Sequence, residues 1–143
     1  MLHEITPFVI KHWPLAGAFV LVLILIFVEE AKSKQAGGDK LTPAGATHLI
    51  NREEAVVVDL RDVNAFRDGH IVNAKNFPLA DFDRMKEKLE AFRDRPIILV
   101  DAMGLKTASV VITLKKSGFQ KVVSLKGGID AWKSASMPIV KGK

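Results

Sequence analysis

From Trp13 to Val28 the sequence reads WPLAGAFVLVLILIFV and carries no charge. A helix over this run is apolar all round, whereas a helix in a soluble core keeps a polar face. At 1.5 Å per residue it covers about 24 Å, slightly less than a hydrocarbon core of roughly 30 Å. Snorkelling by Lys11 and Lys32 and modest local thinning supply the difference. Trp13 stands where an interfacial aromatic anchors, and Pro14 falls in the first turn, where its missing N–H costs little. A cleaved leader would begin basic and end in small residues. Here the start is MLHEITPFVIKH and the run closes on Val28-Glu29-Glu30. The pattern predicts a short tail over 1–12 and a retained transmembrane helix over 13–28.

After the span, residues 29–40 (EEAKSKQAGGDK) are polar, include a Gly-Gly pair and read as a flexible linker. Residues 41–143 then alternate regularly. Thr42-Pro43 is an N-cap with Pro at the first helical position, opening a helix through about Ile50. Ala55–Leu60 is a continuous β-branched run of the kind found in a strand covered on both faces. A helical turn follows near Val63–Arg67, and Asn76–Pro78 is a brief extended piece. Residues 80–92 have helical spacing, with Phe82, Met85, Leu89 and Phe92 on one side. Pro96–Val100 and Val122–Leu125 are two further buried strands. A helix over Thr107–Lys116 separates them, and a last helix contains Trp132. Alternating strands and helices with short links imply an α/β domain with a parallel sheet flanked by helices on both faces. Ligands of such sheets bind beyond the carboxyl ends of the strands, here after Leu60, Val100 and Leu125.

Charge changes the picture little. The formal net charge of +5 comes from 21 Lys+Arg against 16 Asp+Glu. The basic residues are interleaved with acids, and no aromatics alternate with a basic run, so nucleic acid is not expected as a partner. The excess lysine instead suits anionic lipid. Lys11 precedes the span, while Lys32, Lys34 and Lys40 follow it, which places the carboxy-terminal domain in the cytoplasm. The expectation is a single-pass protein of the inner (plasma) membrane. Its partners are the bilayer and other membrane proteins, and its oligomeric state is left open. There is no cysteine, which excludes disulfides, thiolate metal sites and thiol nucleophiles. No His/Asp/Glu spacing suggests a metal site, and no cofactor is implied.

Asp59-Leu60-Arg61, then Phe66 and Gly69-His70-Ile71, with Ala74, Asn76 and Pro78 behind them, resembles the first signature of rhodanese-like domains. Leu125-Lys126-Gly127-Gly128, then Trp132 and Pro138, is similar to their closing signature. The resemblance spans about Leu41 to Val140, and the anchored single-domain bacterial members look most alike. It implies a loop after the central strand in which a cysteine, two variable residues, Gly, one residue, Arg and then Ser or Thr form an anion cradle. Backbone N–H groups and the amino end of a helix line that cradle and hold the cysteine's persulfide.

Here the loop reads Asp101-Ala102-Met103-Gly104-Leu105-Lys106-Thr107. Gly104, Lys106 and Thr107 match the Gly, basic and hydroxyl positions, and Asp101 stands at the cysteine position. A carboxylate cannot form and break an S–S bond, so sulfur transfer is not expected. Asp101 repels an anionic donor and is itself able to fill the cradle as a built-in anion. Lys106 either meets an external anion or pairs with Asp101. Asp59, Arg61 and His70 are expected to form a supporting hydrogen-bond network, with Trp132 packing the last helix. The reading is a membrane-tethered, inactive rhodanese-like interaction module. Its alternatives are a sulfur-relay accessory and a hydrolase or transferase that uses Asp101.

Overall fold

The computed structural model describes residues 2–37 and 39–143. The chain forms two compact units, residues 1–35 and 36–143. In the first, α1 (Leu2–Lys11) precedes α2 (Trp13–Gly37). Leu2–Lys11 of the tail expected over 1–12 is therefore helical. Within α2, Trp13–Ala31 is a run of 19 residues with mean hydropathy 2.2, long and apolar enough to cross a membrane. Its side chains are exposed throughout, so it is not the core helix of a soluble unit.

The polar stretch expected to be a flexible linker is helical through Gly37, because Glu29, Glu30, Ala31, Lys32 and Gln35 are all good helix formers. Gly38, within that same linker, lies outside the described residues, as do the side chains of Lys32 and Lys34.

The second unit is built on a five-stranded parallel sheet. Its strands are β1 (Asp39–Leu41), β2 (Val56–Asp59), β4 (Lys75–Asn76), β5 (Ile97–Val100) and β6 (Val122–Leu125), in the spatial order β1-β6-β5-β2-β4. The central register sets Val56 beside Ile97 and Ile97 beside Val122. Between β2 and β4 in sequence, β3 (His70–Ile71) pairs antiparallel with β7 (Ile139–Val140).

Side chains along a strand alternate between faces, so the apolar runs of β2, β5 and β6 supply two cores at once. Val56, Val58, Leu99 and Val122 face Phe82, Leu89 and the buried residues of α6 (Ala108–Lys116). Val57, Ile98, Val100 and Leu125 face α3 (Pro43–Glu53) and α7 (Gly128–Ser134), where Trp132 is buried. Helices thus cover both faces. Thr42 caps α3, its hydroxyl accepting the Gly45 N–H at 3.2 Å.

Two local expectations differ. Residues 80–92 are not one helix. A 3-10 turn at Leu79–Asp81 leads into a short α5 (Phe82–Met85), followed by a 3-10 segment over Lys86–Phe92. The i,i+3 spacings Phe82–Met85 and Leu89–Phe92 suit the tighter helix as well as the α-helix. The extended piece expected at Asn76–Pro78 is paired only over Lys75–Asn76.

Candidate functional site

β5 ends at Val100 and delivers Asp101 to the carboxyl edge of the sheet, where the residue is 6% exposed. Its Oδ1 accepts the backbone N–H of Gly104, and its Oδ2 accepts that of Lys106 at 2.7 Å. Gly104 takes φ +81°, a left-handed conformation that glycine adopts without strain and that brings these amides round to converge. Successive backbone N–H groups turned inward make an anion-binding concavity. The anion in this one is the chain's own carboxylate. Thr107 is buried and precedes α6, but its hydroxyl does not cap the helix.

The loop is held from behind by the start of α7. The Ile129 N–H donates to the Asp101 carbonyl at 2.9 Å, and the Asp130 N–H donates to the Ala102 carbonyl at 3.2 Å. That approach is close enough to dictate residue type. A Cβ on Gly128, at φ +62°, would sit 2.4 Å from the Asp101 carbonyl oxygen, and one on Gly104 would sit 2.9 Å from the Gly127 nitrogen. Gly127-Gly128 and the 101–107 loop are therefore one structural unit, although about twenty residues of chain separate them.

Asp59, at the end of β2, is 1% exposed and forms a bidentate pair with Arg61, whose guanidinium reaches Asp59 Oδ2 at 2.8 Å. The same Arg61 Nη2 donates to the Gly69 carbonyl at 2.7 Å. Asn76 Nδ2 donates to the carbonyls of Asp59 and Arg61 at 3.1 and 2.9 Å, tying β4 to the same turn. His70 is buried, with its ring stacked on Phe66 at 3.8 Å and its Nδ1 2.8 Å from the Phe66 carbonyl. His70 therefore orders the 66–70 turn.

In front of Asp101 lies a cavity of about 470 Å3, lined among others by Leu60, Arg61, Leu79, Met103, Leu105 and Lys106. Its rim is apolar, and Leu105 is 77% and Met103 59% exposed. Lys106 reaches Asp101 through its backbone N–H; its ammonium makes no ion pair with any described residue. Arg61, with its guanidinium on Asp59, brings no free charge to the cavity. Among the described residues no three His, Asp or Glu side chains gather as a metal site would require. Sequence reasoning missed the wall made by Pro78–Ala80. It also missed the backing role of Gly127-Gly128, for which the paired glycines and the following helix start were the available signal.

A sequence profile of the rhodanese-like domain matches residues 42–135. The chain is 36% identical over 143 residues to the uncharacterized protein YibN of Escherichia coli K12, covering 99% of this chain and all of that one. It is 30% identical over 89 residues to the thiosulfate sulfurtransferase GlpE of Coxiella burnetii, covering 62% of this chain and 81% of that one. Among solved structures, the rhodanese-related protein of Thermoplasma volcanium superposes with a TM-score of 0.63 at 26% identity, covering 73% of this chain and 99% of that one.

Proposed function

The chain belongs to the rhodanese-like family, and we propose that it serves as a membrane-tethered, catalytically inactive member that binds a partner protein at the bilayer surface. The observation that carries this reading is the Asp101 carboxylate seated on the Gly104 and Lys106 amides. Sulfane transfer needs a thiolate that attacks the outer sulfur of thiosulfate, releases sulfite and then surrenders the sulfur to an acceptor. The chain has no cysteine with which to do so. Its carboxylate also occupies the position where a donor's anionic group would be held. A relative named as a thiosulfate sulfurtransferase therefore lends the scaffold and not the reaction.

What remains is a rigid surface. The loop is fixed by its own carboxylate and by α7, and its exposed side chains are the apolar Ala102, Met103 and Leu105 with one charge, Lys106. Exposed apolar side chains gathered at a cavity are a feature of protein-binding sites. A single apolar span over Trp13–Ala31 supports anchoring, with the lysines after it supporting a cytoplasmic domain at the inner membrane. Anchoring raises the effective concentration of the module near other membrane proteins.

Photo-crosslinking in intact membranes tests this reading. A photoreactive residue at position 105 of the full chain is expected to give a discrete protein adduct. The same residue at exposed Ser134, on the far end of α7, is expected to give none. Equal labelling at both positions, or no adduct at 105, contradicts it.

A further inference from the structure

The parallel sheet has a polarity. All five strands run the same way, and the chain enters at the amino end of β1, eight residues after Ala31. At about 3.4 Å per residue, eight residues of chain reach about 27 Å when fully extended. The helix ends and links that enter β2, β5 and β6 at the same edge are residues 51–55, 93–96 and 115–121, which include the last residues of α3 and α6. They carry Arg52, Arg93, Arg95, Lys115, Lys116 and Lys121 against Glu53, Glu54 and Asp94.

Part of this charge is already partnered. Lys121 pairs with Glu53 at 2.9 Å, and Arg93 pairs with Glu90 at 2.6 Å. Lys115 and Lys116 are exposed at the end of α6 and pair with no described carboxylate. Arg95 spends its Nε on the Glu54 carbonyl and lies over the Phe92 ring, which also carries the Lys75 ammonium at 5.1 Å. Lysines in the last turn of a helix also offset its dipole. That accounts for Lys115 and Lys116 but not for Arg95 or Lys75. At the opposite edge, where Arg61 is held by Asp59, Lys106 and Lys126 stand against Asp62, Asp81 and Asp101.

We infer that this basic edge docks on the anionic phospholipid headgroups of the bilayer that holds the tether, leaving the Asp101 loop facing the aqueous phase. The inference rests on the membrane-spanning reading of α2. Surface charges act over about 10 Å at 0.1 M salt, and each basic residue held at such a surface alters binding about fivefold. The tether is short enough to bring the edge into that range.

Because the chain contains no cysteine, a fluorophore can be attached at one engineered site in the full-length protein. Gln120→Cys reports on the basic edge, and Leu105→Cys reports on the loop. Each labelled protein is placed in nanodiscs of phosphatidylcholine, with or without phosphatidylglycerol, doped with a lipid whose headgroup bears a nitroxide quencher. The Gln120 probe is expected to be quenched severalfold more in the anionic discs. That excess disappears at high salt and in the Lys115→Glu, Lys116→Glu variant, while the Leu105 probe stays unquenched throughout. Quenching at 120 that ignores lipid charge overturns the inference and leaves an acidic protein as the partner of that edge. Stronger quenching at 105 overturns it equally. If alkaline carbonate strips the chain from its bilayer, the spanning reading itself fails, and this inference falls with it.

Discussion

Asp101 Oδ2 lies 2.7 Å from the backbone nitrogen of Lys106, at the position where an anion cradle would hold its guest. In the proposed reading, Asp101 both stands at the family's cysteine position and fills the place that a donor's charge would take. Removing that carboxylate is expected to have two effects together. Asp101→Ala leaves the Gly104 and Lys106 amides without their acceptor, which costs about 1–3 kcal/mol. The emptied cradle can then take an external anion, so sulfate or thiosulfate should raise the melting temperature of the variant and leave that of the native protein unchanged. Thermal denaturation with and without added anion reads both effects.

The pair beneath the site is a different case. Asp59 and Arg61 are 1% and 9% exposed, so removing one partner strands the other charge. Asp59→Ala is expected to destabilise the fold by about 3–5 kcal/mol, whereas the Asp59→Leu, Arg61→Met double variant should lose distinctly less. Urea unfolding of the two variants, compared with the native chain, gives the answer.

Glycine requirements separate by environment. Gly128 and Gly142 both have positive φ, but a Cβ at Gly128 meets the Asp101 carbonyl at 2.4 Å, while one at Gly142 meets nothing within 4 Å. Gly142→Ala should therefore cost only the conformational term of about 1–2 kcal/mol. Gly128→Ala should cost clearly more, and should also loosen the 101–107 loop in amide hydrogen exchange.

Ser124 offers a test of the interior. It sits within β6 at 0% exposure, and its hydroxyl is the buried side-chain group left without a partner among the described residues. Ser124→Ala removes an unsatisfied polar group from the sheet and is expected to stabilise the protein by about 1 kcal/mol. A loss of similar size would mean that the hydroxyl has a partner after all.

How much of this was legible in the sequence depended on range. Val56–Val58, Ile97–Val100 and Val122–Val123 announce themselves as β-branched and apolar runs, because a strand covered on both faces buries side chains on each side, with Asp59 and Ser124 as the polar exceptions. Asp39–Leu41 gives no such signal. It is an edge strand held to β6 by backbone pairing, which asks nothing of its side chains. The two-residue strands β3 and β7 are too short to carry a period.

At the site, the loop was readable as a pattern, since Gly104, Lys106 and Thr107 keep their spacing from Asp101. The Lys106 contact was not readable, because it runs through the backbone N–H and a sequence names only side chains. The same holds for Gly128 against the Asp101 carbonyl, a contact made across the fold and visible only when α7 is in place.

The thiosulfate:cyanide reaction measures the main proposal directly. The purified full-length chain, freed of thiol proteins, should form thiocyanate no faster than buffer alone. It should do so at every thiosulfate concentration, because nothing in it can carry a sulfane atom. Thiocyanate formation above that background, retained through further purification and abolished by Asp101→Asn, would contradict the account.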